Sequence, residues 1–174
     1  DEVLVNAEDV KNPASMRQRI LVVNNSRSSL KGVVQVRYYP WFPKESSDLK
    51  SEVNFPFHIN AVSRIEIDRI SAIKDPLLWT QDSPSLYKVE VLLKDTTGNV
   101  LDDYVLTTGI RTVSQDGGTF RINGKPEMLN GAQTFGCRMP PDRIAMWNRC
   151  APASELAKEI LMIKKMSCSL IVGE

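Results

Sequence analysis

The sequence has one histidine and three cysteines in 174 residues, and all three cysteines lie beyond residue 136. A Ser–His–Asp triad would have only His58 to use. That residue sits in "NFPFHIN" among alternating apolar neighbours, where a structural strand histidine is the simpler reading. Cys137, Cys150 and Cys168 cannot all pair with one another, and no CxxC or Cys/His cluster occurs, so neither a zinc site nor any other metal or cofactor is expected. An excess of either charge is also missing. Twenty-two basic residues against 21 acidic ones leave a net charge of +1, which gives no electrostatic reason to expect nucleic acid or an anionic membrane. No apolar run reaches the ~18 residues of a membrane span. GxSxG, P-loop and GxGxxG patterns are absent. The opening "DEVLVNAEDV" shows neither an initiator methionine nor the basic and apolar regions of a signal peptide, so the sequence is expected to be part of a longer chain.

What is present falls into two styles. Up to about residue 113 the pattern is β: "RQRILVVNNS", "GVVQVRYYP", "SEVNFPFHI", "SRIEIDRI", "LYKVEVLLKD" and "VLDDYVLTTGI" are short, rich in Val, Ile, Leu and Tyr, and separated by turn-forming stretches. Alternation places Tyr87, Val89, Val91 and Leu93 on one face. Ile65, Ile67 and, less regularly, Ile70 share another, with Arg64, Glu66 and Asp68 toward water. "KDTTGNVL" carries a hairpin signal around Gly98–Asn99. Six or seven such strands with no helix between them predict a mainly β chain, an immunoglobulin-like antiparallel β-sandwich over residues 1–113.

Residues 114–174 read differently. "GTFRINGKPEML" predicts a hairpin turning at Asn123–Gly124, the pair favoured where both turn residues take positive φ. An irregular stretch follows. "ASELAKEILMIKKM" then sets Leu156, Ile160 and Ile163 on one helical face, with Lys164 and Lys165 near the negative C-terminal end, and "CSLIVG" has the look of a buried parallel strand. A helix followed by such a strand is α/β grammar. Sixty residues hold one such step, whereas a closed (β/α)8 barrel needs about 250.

Three segments between Trp79 and Pro126 carry a resemblance. "LWTQDSPSLY" supplies Trp79, Pro84, Leu86 and Tyr87; "GIRTV" supplies Gly109, Ile110 and Arg111; "FRINGKP" supplies Phe120, Asn123, Gly124, Lys125 and Pro126. In this order and spacing they resemble glycoside hydrolase family 2, the family of β-galactosidases, β-glucuronidases and β-mannosidases. The resemblance implies an immunoglobulin-like domain, then a hairpin leading into the start of a truncated (β/α)8 catalytic barrel. It implies a parent that cleaves O-glycosidic bonds with retention, using two glutamates, one as acid/base and one as nucleophile. The family's acid/base lies in an Asn–Glu dipeptide, which occurs nowhere here, so no catalytic residue is expected in this chain. Glu155 and Glu159 read as a solvated helix face, and Asp102 and Asp103 as opposite faces of a strand.

The barrel entry departs from the family pattern: Gln133 and Phe135 stand at the usual Asn and His places, and Ser169 and Val172 at the usual Asn and Arg places. Expected partners are the rest of the polypeptide (an N-terminal sugar-binding-like domain and the barrel), the parent's carbohydrate substrate, and a second copy through the apolar tail residues. The compartment stays open between periplasmic or extracellular, as in exported polysaccharide-degrading relatives, and cytoplasmic. Two residue groups carry alternatives. Trp79 is a plug over the sandwich end or a sugar platform, with the plug preferred. Tyr38, Tyr39, Trp41 and Phe42 in "YYPWFP" are packed strand-end rings or sugar contacts, the second of which would suit a free-standing carbohydrate-binding or adhesion module. "NNS" at residues 24–26 matches a glycosylation sequon within a turn.

Overall fold

The computed structural model describes residues 2–134, 153–168 and 170–173. The chain divides into two compact units, Asp1–Pro126 and Glu127–Glu174.

The first unit is an antiparallel sandwich of three strands on four. One sheet has the order β1 (Glu2–Asp9), β2 (Ala14–Asn24), β5 (Ser63–Ile73). The other has the order β4 (Ser51–Ile59), β3 (Leu30–Phe42), β6 (Leu86–Asp95), β7 (Val100–Thr108). The fourth strand pairs with β3 and not with β5, so the architecture is immunoglobulin-like with the smaller sheet reduced to three strands. β1 is absent from the strands expected above. Its Val3, Val5 and Ala7 alternate, but each is only half-buried, so the pattern is faint.

The alternation elsewhere builds the core as expected. Tyr87, Val89 and Val91 on β6 are buried and meet Ile20 and Val22 of β2, Val34, Val36 and Tyr38 of β3, and Ile67 and Ile73 of β5 in one apolar cluster. Ile70 is the exception: it is 63% exposed, and Ser71 takes the inward place. The parity of β5 explains this, because residues 65, 67, 71 and 73 share a face and 70 lies opposite. Ser71 is tolerated inside because it belongs to a buried polar group that spans both sheets. Gln18 Nε2 donates to the Tyr38 hydroxyl and to Ser71 Oγ, while Gln18 Oε1 has no partner among the described residues. The two bonds offset the cost of burying the amide nitrogen.

The β6–β7 turn is held by Asp95. Its Oδ1 accepts from Thr97 N and Asn99 N, and Gly98 takes φ 89°. The Thr97 hydroxyl and then the Asn99 carboxamide, which also donate to this carboxylate, do most to hold Asp95 down at about 2, with the backbone bonds adding less. Beyond the sandwich, β8 (Val113–Asp116), β9 (Thr119–Ile122) and β10 (Lys125–Pro126) form a small antiparallel sheet. Asn123 (φ 52°) and Gly124 (φ 75°) both occupy the left-handed region, as the expected Asn–Gly turn requires.

In the second unit, β11 (Gly131–Thr134) and β12 (Leu170–Gly173) pair in parallel, with helix α1 (Ala153–Lys165) between them in sequence. Parallel neighbours need a crossover connection, so this is one βαβ step. The helix and last strand match expectation. Residues 131–134, expected above to be irregular, form a strand too short to show alternation. Ile163 is buried while Ile160 is 51% exposed, so the expected helical stripe is only partly covered. Ser167 (φ 58°) closes the helix: Cys168 N donates to Ile163 O, and Ser167 N to Lys164 O.

Candidate functional site

The three motif segments meet at one corner of the first unit. The turn after Leu78 folds Trp79 against Pro84 in an isolated antiparallel bridge, closed by Thr80 N donating to Ser83 O at 3.0 Å. Pro84 suits this place because it has no N–H to offer a ladder. Leu86 then opens β6, and Tyr87 is fully buried with its hydroxyl accepting from Leu77 N at 2.8 Å. Burial pushes the Tyr87 phenol up, and the Leu77 bond opposes that shift.

The second segment runs alongside. Trp79 N donates to Ile110 O at 2.9 Å, and Leu78 bridges Ile110, which is fully buried. Gly109 is required by close approach: a Cβ there would stand 2.9 Å from Trp79 Cβ and 2.9 Å from Arg111 Nη1. The Arg111 guanidinium lies 4.6 Å from the centroid of the Trp79 ring, a cation–π stack that covers the ring.

The third segment completes the corner through one side chain. Asn123 N donates to Thr112 O at 2.9 Å, Thr112 N donates to Asn123 Oδ1 at 3.0 Å, and Asn123 Nδ2 donates to Trp79 O at 3.0 Å. Asn123 therefore turns its own hairpin and ties that hairpin to both other segments. The sequence signals only the turn. The carboxamide's second task is visible once Thr112 and Trp79 are seen beside it. Phe120 is half-buried on β9, and Lys125 and Pro126 are exposed on β10.

The second aromatic group behaves differently. Tyr38 is fully enclosed with its hydroxyl bonded to Gln18, while Trp41 (38% exposed) and Phe42 (45% exposed) lie at the surface. Lys88 Nζ sits 5.2 Å from the Tyr39 ring centroid and 6.0 Å from that of Trp41, and pairs with Glu90 at 3.2 Å. These rings line an outer sheet face and already carry a cation.

The remaining candidates are placed as follows. His58 is exposed on β4, and Asp102 and Asp103 are exposed on β7. Among the described residues no group of three His, Cys, Asp or Glu side chains could hold a metal ion. Asn24 of the sequon is 6% exposed, and its Nδ2, the atom a glycan would need, donates to Ser28 O and Asn60 O. Of the barrel-entry positions, Gln133 and Val172 are direct register partners in the parallel β11–β12 pair. Phe135 and Ser169 lie outside the described residues, as do Cys137 and Cys150.

Fold and corner together define an immunoglobulin-like sandwich closed by a Trp–Arg–Asn joint. Comparison with known proteins then gives its family. The family description Glycosyl hydrolases family 2 matches residues 1–111, and the chain belongs to that family. It is 40% identical over 95 residues to a β-galactosidase of Thermoanaerobacter pseudethanolicus, an alignment covering 49% of this chain and 12% of that one. A β-galactosidase of Erwinia tasmaniensis is 34% identical over 93 residues, covering 53% of this chain and 8% of the relative. Among solved structures, a Bacteroides uniformis β-glucuronidase superposes with TM-score 0.78 at 22% identity, over 97% of this chain and 20% of that one. A family 2 member from Bacteroides cellulosilyticus does so with TM-score 0.83 at 17% identity, over 99% and 21%. At those identities the structural likeness establishes the fold alone. The chain spans only about an eighth or less of the curated relatives it matches.

Proposed function

We propose that these residues form a non-catalytic segment of a β-galactosidase-like β-glycosidase, whose parent hydrolyses O-glycosidic bonds by a retaining two-glutamate mechanism. In this reading residues 1–113 are the sandwich and 114–174 the hairpin and first step of the catalytic barrel. The segment packs beside the barrel and supports it. The observation that carries the reading is the Asn123 joint. A side chain spent on fixing a hairpin to Trp79 and Thr112 sets the direction in which the chain leaves the sandwich. Retention requires two carboxyl groups about 5–5.5 Å apart across the scissile bond, supplied in this reading by glutamates outside these residues.

The test is turnover of a panel of nitrophenyl β-glycosides by the 174-residue chain and by the full-length protein containing it. Turnover by the full-length protein alone is expected, and the substrate cleaved names the specificity. Hydrolysis by the 174-residue chain itself would overturn the non-catalytic assignment.

A further inference from the structure

Asn123 and Gly124 form a chemically labile pair set within the joint. Glycine has no Cβ to shield its backbone nitrogen, so that nitrogen can reach the carboxamide carbon of an asparagine before it. Gly124 is exposed, and its N–H enters no hydrogen bond among the described residues; only its carbonyl is engaged, by Arg121 Nη1 at 3.2 Å. The nucleophile of an intramolecular reaction is therefore open to attack its neighbour. The electrophile is restrained. Asn123 Nδ2, the group that must leave, donates to Trp79 O at 3.0 Å, and Oδ1 accepts from Thr112 N at 3.0 Å. Ring closure makes Cγ tetrahedral and expels Nδ2, so the carboxamide cannot keep both bonds through it.

We infer that residue 123 is a deamidation site that the joint keeps closed, so that opening of the joint converts it irreversibly and releases the hairpin from Trp79. Gly124 N attacks Asn123 Cγ: that C–N bond forms, the Cγ–Nδ2 bond breaks, and the proton of Gly124 N leaves with Nδ2 as ammonia. Water then opens the resulting succinimide. Its attack at Cγ gives aspartate, which retains an acceptor for Thr112 N but has no donor for Trp79 O. Its attack at the main-chain carbonyl gives isoaspartate, whose extra backbone methylene no longer fits the two-residue turn that pairs Ile122 with Lys125. Water is the one co-reactant, and the inference is independent of what the parent hydrolyses. A second Asn–Gly pair, Asn130–Gly131, supplies an internal reference for the intrinsic chemistry.

The test ages the 174-residue chain at mildly alkaline pH, both folded and in denaturant, and locates deamidation and isoaspartate by peptide mass spectrometry. In denaturant the two Asn–Gly pairs are expected to react at similar rates. In the folded chain residue 123 is expected to react about tenfold or more slowly than in denaturant, because slow chemistry reads the population of the open joint. Trp79→Ala removes the ring and Gly109→Ala only displaces it; each is expected to raise the folded-state rate at residue 123 about fivefold or more. Where either variant fails to fold, exchange of the Thr112 amide in the wild-type chain reads the same opening. Its protection factor is expected to agree with that of residue 123 within about tenfold, and a larger mismatch would overturn the inference. A folded-state rate equal to the denatured one would also overturn it. So would a slow rate that neither folded variant raises, which would assign the protection to the turn alone. The isoaspartate form, resolved by chromatography, is expected to exchange Thr112 N faster than the unmodified chain; unchanged exchange would overturn the release.

Discussion

Among the described residues two clusters set a cation on an aromatic ring, and they serve different ends. At the first, Arg111 stacks on Trp79 at 4.6 Å, with hydrogen bonds from Trp79 to Ile110 and from Asn123 to Trp79 drawing three chain segments together. At the second, Lys88 lies over Tyr39 and Trp41 at 5.2 and 6.0 Å, on the outer face of neighbouring strands already paired in one ladder. The cation–ring contact is common to both and decides nothing. What separates a joint from a decorated surface is the backbone: main-chain donors and acceptors at the first cluster depend on partners far away in sequence, whereas the second adds only side-chain contacts to a sheet that stands without it.

Substitutions can break this contrast, and the largest effect is expected at the ring of the joint. Trp79→Ala removes the cover over Gly109 and the platform for Arg111, and a loss of about 2–4 kcal/mol is predicted by denaturant unfolding. A loss as small as that of a surface substitution would show that the ring is not part of the joint. Asn123→Ala is predicted to cost about 1–3 kcal/mol, because it strands Thr112 N and Trp79 O and places alanine at φ 52°. Asn123→Asp, which keeps the acceptor for Thr112 and loses the donor to Trp79, should fall between the wild type and Asn123→Ala. Gly109→Ala is predicted to cost about 1–3 kcal/mol through the 2.9 Å approach to Trp79 Cβ. A neutral result would mean that Trp79 shifts freely. Trp41→Ala, at the other cluster, should cost about 0.5 kcal/mol or less. An effect comparable to Trp79→Ala would erase the distinction.

The smallest effect is at the Asp95 turn. Its carboxyl is held down at about 2, below the unfolded value of about 3.9. A depressed carboxylate contributes stability that is fully present above the unfolded value and is lost as pH falls through the folded one. The turn should therefore weaken between about pH 4 and pH 2. NMR titration of the Asp95 carboxyl checks this, and a midpoint near the unfolded value would refute it.

How much of this was legible beforehand depends on which force sets each feature. Strands whose apolar residues are fully buried, such as β6 with Tyr87, Val89 and Val91, announce themselves by alternation. β1 did not, because its Val3, Val5 and Ala7 are half-covered at a sheet edge and selection for burial there is weaker. β11 was missed for its length: four residues paired on one side carry too little pattern to distinguish a strand from a loop. The motif residues were visible as a set, but their task was not. The Asn123–Gly124 turn follows from local backbone preference, while the bonds from Asn123 to Thr112 and Trp79 are tertiary and leave no periodic trace. Gln18 illustrates the same limit. An inward glutamine breaks the apolar pattern of β2, and only the neighbouring Tyr38 and Ser71 explain why it is tolerated.

Trp79, Thr112 and Asn123 are bonded into one structural joint on which Arg111 stacks. The most direct test follows their backbone amides by hydrogen exchange in the wild-type chain and in Asn123→Ala. The account predicts wild-type protection comparable to the core strand β6, with a selective loss at Thr112 and Asn123 in the variant. Exchange of all three at the rate of exposed turn amides in the wild type would contradict it.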